Sequence, residues 1–278
     1  MGEHIRDKVI VVTGAGGGFG RLISLKAAAV GARLVCADID AGALGTTVRE
    51  IEDSQGQAIG RETDVTDAAE MAALARASVE RFGRIDVMVN NAGVMPLAFY
   101  ADHAAAADLW RRCIDINIKG VLNGIVAVHD QMIAQGRGHI VNVSSIYGNF
   151  PVAGAGVYGA TKAAVNFLSE ALRVESQGKI KVTVIKPTGV PGTGLGSGIV
   201  NPAAIVGILG QNAASYLATM GAMAAGGASA DQADPGNIAY AALAPDYIAD
   251  AVIHAIDQPW GVSFGDITIR ASGDGYIL

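Results

Sequence analysis

Charge is missing from one long stretch of this sequence: between Pro187 and Ala230 there is no Asp, Glu, Lys, Arg or His. Cysteine is scarce as well. Cys36 and Cys113 are the only two, and they fall in separate elements without paired spacing, which excludes a disulfide framework and suits a reducing compartment. The five histidines show no ligand spacing, so no metal site is expected. Cationic residues are outnumbered, 20 Lys and Arg against 26 Asp and Glu, for a formal net charge of -6 and a pI near 5.3. With no basic face to neutralise phosphates, nucleic acid is excluded as a partner and a small molecule is expected instead. Long hydrophobic runs are lacking too, although 51% of residues are hydrophobic and mean hydropathy is +0.36. The best run in the uncharged stretch, near 203–210, is bounded by Asn201, Pro202, Gln211 and Asn212. A spanning helix needs about 20 apolar residues, so no membrane span is expected. No apolar leader stands before the first strand-like run, which follows Glu3, His4, Arg6 and Asp7, and the expected location is the cytoplasm.

What the chain does have is a regular alternation. Strands are predicted near 8–13, 33–37, 58–62, 85–90, 138–144, 180–186 and 263–270, with Ala-rich segments of helical period filling most intervals. Runs such as Val9-Ile10-Val11-Val12 and Val87-Met88-Val89 are continuously apolar, as strands buried on both faces must be. The pattern predicts an α/β fold: a Rossmann-type, doubly wound, parallel seven-stranded sheet with helices on both faces. No linker or repeat divides the chain, so residues 1–278 are expected to form one domain. The uncharged stretch follows the sixth strand, on the side where such sheets bind ligands. Tyr216, Met220 and Met223 lie there at i, i+4 and i+7, and the segment of about 188–245 is expected to be a lid over an apolar pocket.

The first strand runs into Thr13-Gly14-Ala15-Gly16-Gly17-Gly18-Phe19-Gly20 and then a helix. Glycines allow close approach of a pyrophosphate, and a helix N-terminus offers it free N–H groups and the positive end of a dipole. Asp38 follows the second strand, where a carboxylate can accept hydrogen bonds from both adenosine ribose hydroxyls and would repel a 2'-phosphate. Ala15, Gly16 and Ile39 supply no cation to receive one. NAD(H) is therefore expected over NADP(H). Asp64 and Val65 after the third strand, and Asn91, Ala92 and Gly93 after the fourth, collect at the same sheet edge.

The fifth strand ends at Ser144-Ser145, and Tyr158 and Lys162 follow at i and i+4 on a predicted helix, which places phenol and ammonium on one face. A free phenol, with a pKa of about 10, is a slow base at neutral pH. A close ammonium is expected to lower it by about two or three pH units once an oxidised nicotinamide is present. Ser145, thirteen residues before Tyr158, is placed to hydrogen-bond the substrate oxygen.

Between about Lys8 and Lys186 these residues resemble the short-chain dehydrogenase/reductase family in its compact subtype. The shared elements are Thr13-Gly14-x-x-x-Gly18-x-Gly20, Asp64, Asn90-Asn91-Ala92-Gly93, Asn117, Ser145 and Tyr158-x-x-x-Lys162, in the family's order. The resemblance implies that Asn117 completes a catalytic set by holding a water that links Lys162 to solvent, and that Lys162 also binds the nicotinamide ribose. It implies pyrophosphate contacts around Gly14, Gly18, Phe19 and Gly20, and a homotetramer or homodimer. After the sixth strand the family shows Pro-Gly, a hydrophobic residue and Thr, whereas this chain reads Pro187-Thr188-Gly189-Val190-Pro191-Gly192-Thr193. Pro187, Thr188, Val190 and Thr193 are thus the candidates for holding the nicotinamide. The poorly matching, uncharged segment beyond implies a hydrophobic, cyclic secondary alcohol or ketone as substrate. Two alternatives stand beside this: an epimerase or dehydratase on the same scaffold, whose members resemble a longer subtype, and a non-catalytic NAD(H)-sensing protein.

Overall fold

The computed structural model describes residues 2–227 and 229–277; the two terminal positions of the expected domain and residue 228 of the expected lid lie outside the described residues. Seven parallel strands form one sheet in the order β3-β2-β1-β4-β5-β6-β7. They are β1 (Val9–Thr13), β2 (Arg33–Asp38), β3 (Gln57–Glu62), β4 (Val87–Asn90), β5 (Gly138–Val143), β6 (Ile180–Pro187) and β7 (Asp266–Ile269). All seven predicted strands are present. β4 and β7 are shorter than expected because their first residues bond outside the ladder: the Ile85 N–H, for instance, donates to the Gln135 side chain at 2.9 Å.

Among the described residues ten α-helices connect or follow the strands: α1 (Gly18–Ala29), α2 (Ala41–Asp53), α3 (Ala68–Phe82), α4 (His103–Ile114), α5 (Gly120–Ala134), α6 (Gly156–Glu175), α7 (Val206–Leu209), α8 (Ala213–Ala224), α9 (Ala230–Ala233) and α10 (Pro245–Ile256). The strands sort their side chains with a period of two. Ile10, Val12, Leu34 and Cys36 enter one core with Ile23 of α1, Leu44 of α2 and Ile248 of α10. Val9, Val11 and Val35 enter the other, with Leu74 of α3, Val128 of α5 and Val165 of α6. Helices thus cover both faces, and β1 and β4, where strand order reverses, open a crevice at their carboxyl ends. A third cluster, which includes Leu97, Tyr147, Tyr158, Ile208 and Tyr276, closes one end of that crevice. Among the described residues no helix is long and apolar enough to cross a membrane.

Candidate active site

A cavity of about 1040 Å³ runs along the carboxyl ends of the strands. At one end its wall is backbone. Gly14 and Gly18 adopt positive φ, 66° and 48°, a conformation that favours glycine. A Cβ on Gly14 would lie 3.0 Å from the Ala92 Cα, and one on Gly18 would lie 2.9 Å from the Thr193 carbonyl oxygen, so the chain after β6 passes directly over the glycine turn. The N-cap of α1, Gly17, has no side-chain hydrogen bond, whereas Asp40 caps α2 and Asp67 caps α3. The free N–H groups at the start of α1 are therefore available to an anion. Phe19 lines the cavity; Gly20 does not. A Cβ on Gly20 would fall 2.0 Å from the Gly14 carbonyl oxygen, which makes this glycine a packing position behind the turn rather than a contact residue.

Asp38 lines the cavity with its carboxylate already oriented: Oδ2 accepts the Gly16 N–H at 2.8 Å and Oδ1 the Asp40 N–H at 3.0 Å. Because Asp40 caps α2, Asp38 is free of that duty. Asp64 and Val65 line the same end, with Asp64 Oδ1 held by the Thr66 N–H and hydroxyl, both at 2.8 Å. Asn91, Ala92 and Gly93 line its middle. The side chain of Asn91 is committed to structure, donating to the carbonyls of Thr13 and Gly14 at 2.9 and 3.3 Å. Thr13 completes this tie through its hydroxyl, which accepts from the Asn91 and Ala92 N–H groups and donates to Val89 O. Bare backbone, an uncapped helix and an oriented carboxylate fit a nicotinamide dinucleotide. Pro187, Thr188, Val190 and Thr193 line the stretch between the two ends, and the buried Thr188 hydroxyl has no hydrogen-bond partner, as a group meant for a carboxamide would be.

At the other end the wall is side chain. Ser145 follows β5 by two residues, and Tyr158 and Lys162 project from α6; all three are buried and line the cavity. The Ser144 hydroxyl donates to Lys162 O at 3.1 Å, fastening α6 to β5. The Lys162 ammonium donates to Val143 O at 2.9 Å and sits 5.8 Å from the Tyr158 ring centroid. Asn117 stands behind the wall, fully buried in a π-helical turn, Asp115–Lys119, between α4 and α5. Its Oδ1 accepts the Val94 N–H at 3.0 Å, and its Nδ2 donates to Val94 O at 3.0 Å and to Thr161 Oγ1 at 3.1 Å, next to Lys162. A π-bulge is a costly irregularity found mainly at functional sites.

The lowering expected for Tyr158 belongs to the state with an oxidised nicotinamide bound; in the protein alone the shift runs the other way. Burial pushes the phenol above its ordinary value, against the opposing hydrogen bond from Ser145. Burial also brings the Lys162 ammonium down to about 8. For the phenol, loss of hydration outweighs the hydrogen bond that favours its charged form. In the protein alone Tyr158 is a protonated acid.

Tyr216 of α8 lines the cavity, whereas Met220 and Met223, one and two turns further along the same helix, do not and are half-buried. Two tyrosines at this end escaped the sequence reading. Tyr147 packs edge-on against Tyr158 with ring centroids 5.5 Å apart. Tyr276, near the chain end, lines the cavity beside it. Tyr147 could have been found from its place two residues after Ser145; nothing local marks Tyr276.

Comparison with known proteins agrees with this geometry. The sequence profile described as short chain dehydrogenase matches residues 8–202. The uncharacterized oxidoreductase Lmo0432 of Listeria monocytogenes is 37% identical over 265 residues, covering 95% of this chain and 96% of that protein. Among solved structures, a 7α-hydroxysteroid dehydrogenase complexed with NADH and 7-oxo glycochenodeoxycholic acid superposes with a TM-score of 0.79 at 25% identity, covering 99% of this chain and 98% of that one. A metagenomic short-chain oxidoreductase in complex with NADP superposes with a TM-score of 0.72 at 28% identity, covering 96% and 98%.

Proposed function

The chain belongs to the short-chain dehydrogenase family and is an oxidoreductase, and from that premise we propose that it moves a hydride between NAD(H) and a hydrophobic, cyclic secondary alcohol or its ketone. The observation that carries this reading is the convergence of Ser145, Tyr158 and Lys162 at one end of the cavity whose other end is the bare glycine turn. The dinucleotide, when bound, supplies or receives the hydride. Ser145 and Tyr158 hold the substrate oxygen, and Tyr158 gives it a proton in reduction or takes one in oxidation. Lys162, tied to Val143 O, supports the phenol and meets the ribose. Asn117 positions this group through Thr161 and carries the water relay to Lys162.

Asp38 supports NAD over NADP, since a 2'-phosphate would meet a carboxylate whose place is fixed by two backbone N–H groups. Alcohol oxidation by NAD releases a proton and reduction takes one up, so oxidation is expected to strengthen as pH rises. The uncharged segment after β6, whose residues Ile199 and Ile205 line the cavity, supports a hydrophobic substrate and a lid over about 188–245. Exposed Leu109 on α4, Leu122 and Val126 on α5, and Phe167 and Val174 on α6 support a homotetramer. The free thiols of Cys36 and Cys113, both buried, support a cytoplasmic location.

The test is a panel of secondary alcohols and ketones with NAD(H) or NADP(H), following the reduced nicotinamide. Turnover of hydrophobic cyclic members with NAD(H) is the expected result. Turnover confined to charged sugars or hydroxy acids would overturn the substrate class, and a preference for NADP(H) would overturn the role of Asp38.

A further inference from the structure

The substrate end of the cavity carries more hydroxyl than the proton transfer uses. Tyr216 on α8 and Tyr276 in the C-terminal tail meet there with their hydroxyl oxygens 2.7 Å apart and ring centroids 5.4 Å apart. Both line the cavity, and Tyr276 is only 8% exposed. The tail that delivers Tyr276 is fastened by its backbone: Asn212 Nδ2 donates to Gly275 O at 3.0 Å, the Ile277 N–H to Ile208 O at 3.2 Å, and an Arg270 guanidinium N–H to Tyr276 O at 2.9 Å. Space for the phenol is reserved as well. A Cβ on Gly189 would lie 1.6 Å from the Tyr276 hydroxyl, so the glycine in the unusual Pro187-Thr188-Gly189 turn is what admits it.

Hydrogen counting shows that the pair is incomplete by itself. Two phenols hold two hydroxyl hydrogens, and their mutual bond uses one. Among the described residues neither hydroxyl makes another hydrogen bond. One O–H donor is left at the cavity wall, flanked by apolar Ile205 and by Tyr147. Tyr147 joins this pair to the reacting group, since its ring packs edge-on against Tyr158 and it lines the same cavity as Tyr216 and Tyr276; burial first, and the neighbouring phenols second, raise Tyr147 and Tyr276 above the ordinary phenol value. A neutral donor at the far end of an apolar pocket selects an uncharged acceptor oxygen.

We propose that the Tyr216–Tyr276 hydroxyl pair is a second recognition point, and that the natural substrate carries, besides its reacting secondary alcohol or ketone, a second uncharged oxygen, a carbonyl or hydroxyl, across a compact apolar skeleton. This rests on the alcohol/ketone reading of the cavity. A site built to hydrogen-bond an oxygen discriminates against the analogue that lacks it, because the buried donor is then left unpaired.

The experiment measures binding separately from turnover. The NAD-loaded protein, which has no hydride to give a ketone, is titrated by isothermal calorimetry with two matched pairs of different length, cyclohexanone against cyclohexane-1,4-dione and 2-decalone against decalin-2,6-dione, and reduction of each ketone with NADH is followed separately. The expected result is at least about tenfold tighter binding of the dione in one pair. The ratio should collapse to near one in the Tyr216→Phe/Tyr276→Phe double variant, whose melting temperature is checked in parallel. Equal binding of dione and monoketone by the wild-type protein, or a dione preference that survives in the double variant, would overturn the proposal whether or not either ketone is reduced. A preference that disappears in the variant, with no reduction of any ketone, would uphold the recognition point and overturn the proposed reaction.

Discussion

The two ends of the cavity are built from different material. At the dinucleotide end the chain itself is the wall: Gly14, Gly18, Ala92 and Gly93 present backbone, and α1 begins without a cap. At the substrate end the wall is four phenols, Tyr147, Tyr158, Tyr216 and Tyr276, drawn from α6, α8, the turn after β5 and the tail. Backbone can be approached closely and offers the same donors whatever the neighbouring side chains are. Side chains fill space and choose what fits. The first end is therefore suited to a shared cofactor, and its tolerance for change is small because a Cβ added at Gly14, Gly18 or Gly20 collides. The second end holds the specificity, and its parts can be altered one at a time.

Adding a side chain at the backbone end should do the most damage. Gly20→Val puts a Cβ about where the Gly14 carbonyl oxygen now sits, 2.0 Å away, and 2.6 Å from Asn91 Nδ2. Overpacking of this kind costs roughly 1–3 kcal/mol, so NADH affinity should fall by about tenfold to a hundredfold in a fluorescence titration. Unchanged affinity would show that the turn adapts and would erase the contrast between the ends. A smaller effect is expected from Asp38→Ala, which removes the negative charge but leaves the turn. The ratio of NADPH to NADH dissociation constants should fall by about tenfold, on the order of 1.4 kcal/mol.

The smallest change sharpens the contrast through stability. Lys162 is brought from 10.5 to about 8 by burial, so the unfolded chain holds this proton more tightly than the folded one. Its contribution to stability is present above the unfolded value of 10.5 and is lost as pH falls through about 8. Lys162→Met should therefore raise Tm at pH 7 by a few degrees, on the order of 1–2 kcal/mol after the lost bond to Val143 O, with the gain shrinking between pH 8 and pH 10. A Tm that falls at pH 7 would mean that the ammonium stabilises the fold rather than burdening it.

The same contrast explains what could be read in advance. A backbone-built end leaves a spacing signature, because Gly14 and Gly18 are demanded by φ and by close approach; for the same reason Gly20, a packing glycine, was taken for a contact. Strand alternation and buried apolar runs made the sheet legible to within a few residues, since the period of two follows from the pleat. At the side-chain end Ser145, Tyr158 and Lys162 were legible through their spacing and Tyr216 through its helical stripe, whereas Tyr147 and Tyr276 were not. Tyr276 arrives from a tail more than a hundred residues further on, and only the folded chain brings it to Tyr216 and opposite Gly189. The upward shift of the Tyr158 pKa in the protein alone was not legible, because spacing locates a neighbouring charge but says nothing of the water that burial removes.

The most direct test is a single turnover. Protein loaded with NADH is mixed with a cyclic ketone that it reduces, and the loss of reduced nicotinamide is followed for the wild type and for Tyr158→Phe, with NADH affinity measured for both. If Tyr158 supplies the proton, the variant should bind NADH within about twofold of the wild type and oxidise it about a thousandfold more slowly. Oxidation by the variant at the wild-type rate would contradict the assignment, because the proton would then be coming from another group.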